Sequence, residues 1–325
     1  MLVKSFQSSY WQAAVKGIEQ EAEAKGVDVH CDGPVNESDI ADQVNMLNSA
    51  IASAPDGIGL APNDPASVLD CLQAAMDAGI PVVVFDSGVP DAPAGSVFST
   101  VATNNYAAGA TAADNLYAAV KDKIAAATAP VRVGEVNQEA TSESITSRGL
   151  GFIDRFAELA AADGFKVAVV GNEFYVNGTK AEKVDEAEAN IIIEVAVPAQ
   201  TTVELCATEA SNIMNKNDLI CIFGSNQVAA EGILPANENL SILGSDPASS
   251  VLAAGFDAGS VIKAAVREGV MFGAVTQSPL AMGITTVDML IEACNGGTAK
   301  DVPTDGYWYN VDNIDDESIA PNLYD

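Results

Sequence analysis

Short runs of β-branched and other apolar residues alternate along this chain with longer segments whose apolar positions recur at helical spacing. In the first third, the helical pattern over residues 9–25 has Ser8 or Ser9 as its N-cap and Gly26 as its stop. Another helix is expected to begin at Asp64 and Pro65. Strands are expected at residues 2–6 and 27–31, on either side of the first helix. The order β-α-β-α-β-α-β predicts a parallel sheet with helices on both faces.

The same pattern begins again after residue 103. Its apolar runs read VRVGEV, KVAVVG, NIIIEVAV, DLICIFG, LSILGS and FGAVTQ, and DGYWYNVDNI is expected to return as a last strand. No low-complexity linker separates the halves, so the chain is expected to cross between them near residues 103, 277 and 309. The prediction is an α/β protein with two doubly wound parallel-sheet lobes and a multi-crossing hinge. The first lobe would hold residues 1–103 and 278–309, and the second 104–277 and 310–325.

The charge of the chain is strongly negative. It has 15 Lys and Arg against 45 Asp and Glu, a formal net charge of −30. Such a surface repels nucleic-acid phosphates and anionic lipid, so neither is an expected partner. No apolar stretch approaches the ~18–20 residues that span a bilayer. No basic region precedes an apolar one at the start, so the protein is expected to be cytosolic or to have had an export signal removed.

Residues for several kinds of chemistry are missing. The five cysteines have no CxxC or CxxH spacing and are expected to be mainly buried free thiols, and His30 is the single histidine. Neither a phosphate-binding GxxxxGK[ST] loop, nor GxGxxG opening a helix, nor a GxSxG elbow occurs. We therefore expect no metal, no cofactor and no catalytic reaction.

Polar and aromatic side chains follow many of the predicted strands. In open α/β sheets, ligands lie beyond the carboxyl ends of the strands. Carboxylate, amide and guanidinium groups can each hold two adjacent sugar hydroxyls, and an aromatic face packs on the C–H face of a sugar ring. The candidates are Phe6, Tyr10, Trp11, Asp86 and Ser87 from the first lobe, and Asn137, Ser142, Arg148, Asn226, Asp246 and Gln277 from the second.

Each of these residues also has a purely structural interpretation. Asp246 precedes Pro247 and would serve equally as a helix cap, as would Asn226. Asp86 would also suit the first position of a turn, and Arg148 would also suit a surface ion pair.

Tyr10 and Trp11 lie on an amphipathic helix, where core packing is the usual role. Adjacent helix positions cannot both face inward, so one of the two is expected to face the cleft.

The order of the motifs resembles one known family. SSYWQAAVKGIEQEAEAKGVDV, GIGLAPNDPASVLDCLQAAMDAGIPVVVFDSG, VATNNYAAGATAADNL, SITSRGLGF, FGSNQVAAEGIL, ILGSDPASSVLAAGFDAG and VTQSPLAMGITTVDMLIEACNGG follow one another in register. The chain is similar to the periplasmic sugar-binding proteins of the ribose-binding type, whose fold is shared with LacI-type effector domains. The resemblance implies a type I periplasmic-binding-protein fold and hinge closure. It also implies an ABC permease as partner, and an extracytoplasmic location with the signal peptide removed. Contact with the membrane would be made only through the permease or a lipid anchor.

By that resemblance, the ligand would contact a set of eight positions: Tyr10, Trp11, Asp86, Asn104 or Asn105, Arg148, Asn226, Asp246 and Gln277. The chain departs from the family pattern in three places. Ser87 stands where the pattern has an arginine, and Ala61 stands where a polar residue is expected, with Asn63 as an alternative contact.

The third departure is an extra segment near residues 166–190. It leaves Phe174, Tyr175 and Gln200 as alternatives for a further contact from the second lobe.

The expected function is the binding of a monosaccharide or polyol for a carbohydrate ABC importer. The alternatives are a receptor for a furanosyl autoinducer, a cyclitol or a nucleoside, and the effector domain of a LacI-type regulator. An enzyme on a doubly wound fold is disfavoured by the single histidine.

Overall fold

The computed structural model describes residues 1–324 and contains two β-sheets covered by helices. Its strands are β1 (Ile58–Leu60), β2 (Val82–Phe85), β3 (Ser99–Thr103), β4 (Val131–Val136), β5 (Val167–Gly171), β6 (Ile191–Ala196), β7 (Leu219–Gly224), β8 (Leu252–Phe256), β9 (Gly273–Thr276), β10 (Val302–Thr304) and β11 (Tyr307–Tyr309). Its α-helices are α1 (Ser9–Lys25), α2 (Ile40–Ala52), α3 (Leu69–Asp77), α4 (Asn105–Ala126), α5 (Glu143–Ala162), α6 (Glu173–Gly178), α7 (Val203–Met214), α8 (Gln227–Asn237), α9 (Ser260–Arg267) and α10 (Pro279–Cys294). The predicted α/β class with parallel sheets is confirmed.

The first sheet has the order β1-β2-β3-β10, and all its strand pairs are parallel. Leu2 adds single parallel bridges to Asp32 and to Leu60 beside β1. The strand expected at residues 2–6 is therefore reduced to the bridging residue Leu2, and residues 27–31 form no strand, since the bridge lies one position later at Asp32. This sheet, with α1, α2, α3 and α10, is called the first lobe below.

The second sheet has the order β11-β9-β8-β7-β4-β6-β5. Its pairs are parallel except for β11, which runs antiparallel to β9. This sheet, with α4 to α9, is called the second lobe. The extra segment near residues 166–190 forms the edge strand β5 and the short helix α6.

The chain crosses between the two sheets after β3, after β9 and after β10. The Thr103 hydroxyl donates to Gln277 Oε1 at 2.7 Å and lies 3.2 Å from the Thr304 hydroxyl. These bonds join the three crossings side by side. The sequence pattern predicts crossings near residues 103, 277 and 309. In the structure the third crossing lies between Thr304 and Tyr307, because Tyr307 already belongs to β11, which pairs with β9.

Two predicted elements are wrong in position. The run LSILGS contributes only a bridge between Leu243 and Val251, and the strand that follows is Leu252–Phe256. The helix expected from Pro65 begins at Leu69, and the Asp64 carboxylate caps a turn by accepting from the Ala66 N–H at 3.0 Å.

All five cysteines are free thiols, as expected, with Cys71, Cys206 and Cys221 buried, Cys31 half-buried and Cys294 exposed. Within residues 1–324, no helix combines the length and the apolar character that a membrane span needs.

Glycines let helices α4 and α5 approach each other closely. A Cβ on Gly109 of α4 would lie 2.0 Å from the Arg148 carbonyl oxygen of α5. A Cβ on Gly151 of α5 would lie 2.1 Å from the Tyr106 carbonyl oxygen of α4. The two helices therefore cross backbone to backbone, and this crossing sets the position of Arg148.

We expect Gly109→Ala to lower the free energy of unfolding by about 1–3 kcal/mol, because overpacking outweighs the ~1 kcal/mol gain in helix propensity. Chemical denaturation measures the change. Ala107→Ser, exposed on the same helix, is the control and should change stability by less than about 0.5 kcal/mol. A stabilised Gly109→Ala variant would show that the crossing is looser than described.

Candidate ligand-binding site

The carboxyl ends of the two sheets face each other around a hollow of about 30 Å³. Polar and charged side chains from both lobes line it. They are Lys4, Ser8, Tyr10, Trp11, Glu37 and Asp86 from the first lobe, and Gln138, Ser144, Arg148, Asn226, Gln227, Asp257 and Gln277 from the second lobe and its crossing. Six of the predicted residues are therefore brought together here: Tyr10, Trp11, Asp86, Arg148, Asn226 and Gln277.

A buried ion pair forms the wall of the first lobe. Lys4 Nζ lies 3.1 Å from Asp86 Oδ2, and the Tyr10 hydroxyl donates to Asp86 Oδ1 at 2.6 Å. Burial by itself would lower the pKa of Lys4, but the carboxylates of Asp86, Glu37 and Glu139 outweigh it and raise that pKa. Lys4 is therefore charged inside the protein, and Asp86 is the anion that it contacts.

A chain of hydrogen bonds crosses the rim of the hollow. The Trp11 indole N–H donates to Glu37 Oε1 and Gln138 Nε2 donates to Glu37 Oε2, each at 2.7 Å. Asn226 Nδ2 donates to Gln138 Oε1 at 2.5 Å, while Asn226 Oδ1 caps α8 at the Ala229 N–H. Asn226 is thus both the expected cap and part of the hollow.

Arg148 forms the floor on the side of the second lobe. Its guanidinium donates to the Ser225 carbonyl at 2.7 Å and to Asn105 Oδ1 at 2.8 Å, and it lies 3.5 Å from the centre of the Phe256 ring. Its Nε has no hydrogen-bond partner among residues 1–324. The alternative of a surface ion pair for Arg148 is excluded by its 2% exposure.

Asp257 is the second buried carboxylate of the hollow. Gln277 Nε2 donates to its Oδ1 at 2.8 Å and the Gln227 N–H donates to its Oδ2 at 3.0 Å. Burial raises the pKa of Asp257 to about 6, with Arg148 and the two hydrogen bonds acting in the opposite direction. The Asp257 carboxylate therefore takes up a proton at a pH of about 6.

Asp86 and Asp257 occupy equivalent places in the two lobes. Residues 85–88 read FDSG after β2, and residues 256–259 read FDAG after β8. Both aspartates have a left-handed backbone, with φ of +64° and +74°, and each N–H bonds to a carbonyl of the neighbouring strand. The same turn thus delivers one carboxylate from each lobe to the hollow.

Asp246 is not in the hollow, which corrects the sequence prediction. It is exposed, and its carboxylate accepts from the Ala248 N–H at 3.0 Å and the Ser249 hydroxyl at 2.7 Å. The Ser249 and Ala248 hydrogen bonds lower its pKa, as expected for a cap. The prediction fails because the strand next to β7 is Leu252–Phe256 and not LSILGS, so Asp257 takes the strand-end place.

Five other predicted contacts lie outside the lining. Two of them are Asn137, whose side-chain amide donates to Glu135 Oε1, and Ser142, whose hydroxyl donates to Glu139 Oε1. Phe6 is 38% exposed. Ser87 is buried, but its hydroxyl accepts from the Ser144 N–H at 3.1 Å. Asn105 orients Arg148 rather than facing the hollow, while Asn104 caps α4 at the Ala107 N–H.

The alternatives left open by the sequence are not in the lining either. Phe174 and Gln200 are exposed, and Tyr175 is buried with its hydroxyl bonded to the Glu139 carbonyl. Ala61 is buried, and Asn63 binds the carbonyls of Lys4 and Glu37 instead of replacing the missing contact.

Sequence reasoning missed Lys4, Glu37, Gln138, Ser144, Gln227 and Asp257. The repeated FDSG and FDAG would have identified Asp257. Gln227 lies directly after the predicted Asn226, and Lys4 lies in the run first read as a strand. Glu37 comes from an irregular loop, and no pattern marks it.

The lobes touch directly across the hollow. Lys4 Nζ donates to the Ser144 hydroxyl at 3.1 Å, and the Tyr10 N–H donates to Gln227 Oε1 at 3.3 Å. A space of about 30 Å³ holds one water. A larger polar ligand must therefore part these contacts and replace them. Among residues 1–324, no group of three or more His, Cys, Asp or Glu is arranged to hold a metal ion.

Comparison with known proteins agrees with this architecture. A family model described as a periplasmic binding protein domain matches residues 1–298. The chain belongs to this periplasmic binding protein family.

This periplasmic binding protein is 24% identical over 310 residues to the D-allose-binding periplasmic protein of Escherichia coli (strain K12), covering 94% of this chain and 86% of that one. Among solved structures, it is 30% identical to an ABC transporter, LacI family transcriptional regulator from Brachyspira murdochii, with a TM-score of 0.80 and coverage of 100% and 97%. It is 25% identical to an ABC transporter solute-binding protein from Agrobacterium vitis with bound D-fucose, with a TM-score of 0.81 and coverage of 99% and 98%.

We expect Lys4→Met to lower the free energy of unfolding of this periplasmic binding protein by about 3–5 kcal/mol, because Asp86 would remain buried without its cation. Denaturant titration followed by circular dichroism measures the loss. Lys25→Met on α1 is the control, since Lys25 pairs with Asp288 in solvent and its removal should leave the midpoint nearly unchanged. Equal effects of the two changes would mean that the pair of Lys4 and Asp86 is not desolvated.

Proposed function

We propose that the protein is an extracytoplasmic receptor of a carbohydrate ABC importer. It binds a monosaccharide or a similar polyol in the hollow between its lobes, closes on that ligand by hinge motion, and delivers it to membrane permease subunits. No chemical bond is made or broken in this cycle.

The observation that carries the proposal is the balance of groups facing one hollow. Three carboxylates, those of Asp86, Asp257 and Glu37, lie there with the cations Lys4 and Arg148. Such a lining has no excess of positive charge to hold an anion, and its charged groups already accept or donate hydrogen bonds, so it favours a neutral ligand with many hydrogen-bonding groups. Planar carboxylate, amide and guanidinium groups select among hydroxyl arrangements, because a mismatched buried polar group costs about 1–3 kcal/mol.

Hinge closure accounts for the contacts across the hollow. The bonds of Ser144 to Lys4 and of Gln227 to Tyr10 join groups that sugar hydroxyls can satisfy equally well. The Arg148 Nε, which has no partner among the described residues, is a further donor for a ligand oxygen. The three crossings joined at Thr103, Gln277 and Thr304 form a hinge in which Gln277 also lines the hollow.

The relatives support the same class of ligand. The D-allose-binding protein is similar over nearly the whole chain, and the Agrobacterium vitis protein holds D-fucose. An importer receptor works outside the cytoplasm, where the permease receives its ligand.

A sugar screen tests the ligand class. We expect one or more aldohexoses, 6-deoxyhexoses, pentoses or polyols to raise the Tm by about 5–10 °C at a concentration about 100 times Kd. Differential scanning fluorimetry gives the shift, and mass spectrometry identifies any co-purified molecule. A response confined to cyclitols or nucleosides would redirect the proposal, and no response at all would count against it.

Substitutions at Asp257 and Asp246 test which residues bind the ligand. We expect Asp257→Ala to weaken sugar binding by about 10–100-fold, because hydrogen bonds to a charged group are lost. Isothermal titration calorimetry measures Kd, and Asp257→Asn, which keeps the shape, checks that the loss is not unfolding. Asp246→Ala is the matched control and should bind within about twofold of the parent. Loss of binding in Asp246→Ala with normal binding in Asp257→Ala would overturn the assignment.

A further inference from the structure

Glu135 is a carboxyl group sealed inside the second lobe. It lies on β4, is 0% exposed, and pairs with no cation in the described part of the chain. An unpaired carboxylate in such a place is costly, because desolvation disfavours the charged form. Burial accordingly raises the pKa of Glu135 well above its usual range, although the Asn137 hydrogen bond acts against it.

Asn137 lies beside Glu135 on the same side of the chain. The two residues are two positions apart at the end of β4, where alternate side chains point the same way. Asn137 Nδ2 donates to Glu135 Oε1 at 2.7 Å. The other two atoms of the two groups, Glu135 Oε2 and Asn137 Oδ1, are both buried, and neither has a hydrogen-bond partner in the part of the chain that the structure describes. Two acceptors cannot satisfy each other unless a proton lies between them.

We propose that Glu135 is a neutral carboxylic acid that binds the Asn137 amide through two parallel hydrogen bonds. The amide donates to Oε1, and the proton on Oε2 is donated to Asn137 Oδ1. One proton thus accounts for both unpartnered atoms. We call these two residues the acid–amide pair.

The acid–amide pair supports the turn of α5 that carries Arg148. A Cβ on Gly149 would lie 2.7 Å from Glu135 Oε1 and 2.9 Å from Asn137 Nδ2, so the hydrogen bond between them packs against the α5 backbone. Tyr175 of α6 closes the same space, 2.7 Å from that Cβ position. Glu135 is therefore a positioning residue for Arg148, and its effect on ligand affinity rests on the proposed function.

The charged groups around the pair do not replace the proton. Arg148 directs its guanidinium to Ser225 and Asn105, and Asp154, also on α5, raises the pKa of Glu135 further. On α6, the Tyr175 hydroxyl donates to the Glu139 carbonyl.

The first test compares stability with pH in the full chain. Since the pKa of Glu135 is raised in the fold, the folded protein binds a proton that the unfolded chain releases above pH ~4.5. The variant Glu135→Gln keeps a donor and an acceptor but has no carboxyl group to titrate. Relative to this variant, the folding equilibrium constant of the parent should fall about tenfold for each pH unit between pH 5 and 7. Glu158→Gln, exposed on α5, should show no such slope. If the difference in stability between the parent and Glu135→Gln stayed constant with pH or changed in the opposite direction, Glu135 would be ionised in the folded protein.

The second test observes the proton directly. The infrared spectrum at neutral pH should contain a carboxylic-acid C=O band that is absent from Glu135→Gln, and absence of that difference would overturn the proposal. Sugar affinity should stay within about threefold in Glu135→Gln and fall about tenfold in Gly149→Ala, whose added methyl displaces the turn of Arg148. If no sugar binds but the pH slope and the infrared band are found, the acid–amide pair stands and the proposed function fails.

Discussion

The structure depends on the joint desolvation of four charged side chains where the two sheets meet end to end. Lys4 contacts Asp86 in the first lobe, and Arg148 lowers the pKa of Asp257 in the second, against the larger effect of burial. None of the four could be buried alone at reasonable cost, so each requires its partners to be in place. The turns, the helix crossing of α4 with α5, and the hinge crossings can all be understood as means of bringing these groups to one point.

Closure of the hollow is an exchange of hydrogen bonds rather than a gain of many. Side chains such as Ser144, Gln138 and Gln227 already bind groups of the first lobe. A ligand that replaces them loses and regains bonds of similar kind, so the net free energy depends on how completely its hydroxyls match. The selectivity of such a site is therefore expected to follow from the orientation of planar groups such as Arg148.

The two lobes repeat the same turn at a strand end, and a comparison of the two turns explains which predictions succeeded. Asp86 follows an unbroken apolar run, so the end of its strand was visible in the sequence. Asp257 follows LAAGF, a run too weakly apolar to be distinguished from a helix by periodicity, whereas LSILGS is more strongly apolar and predicts a strand. The sequence pattern therefore places Asp246, and not Asp257, at the end of a strand. Glu37 and Gln138 meet only because two loops from different lobes converge, which no local pattern records.

The sequence by itself determined the α/β class, the alternation of strands and helices, and most of the strand-end residues, because these follow from hydrophobic periodicity and local capping. Tertiary structure alone decided that β11 pairs with the second sheet, and that Leu2 forms isolated bridges in place of a strand. It also decided that Asn105 binds Arg148 instead of lining the hollow. It also raised the pKa values of Asp257 and Glu135, because both carboxyl groups are buried. The physical reason is that burial, charge pairing and sheet order arise from contacts between segments far apart in the chain, and their energies are absent from any single stretch of it.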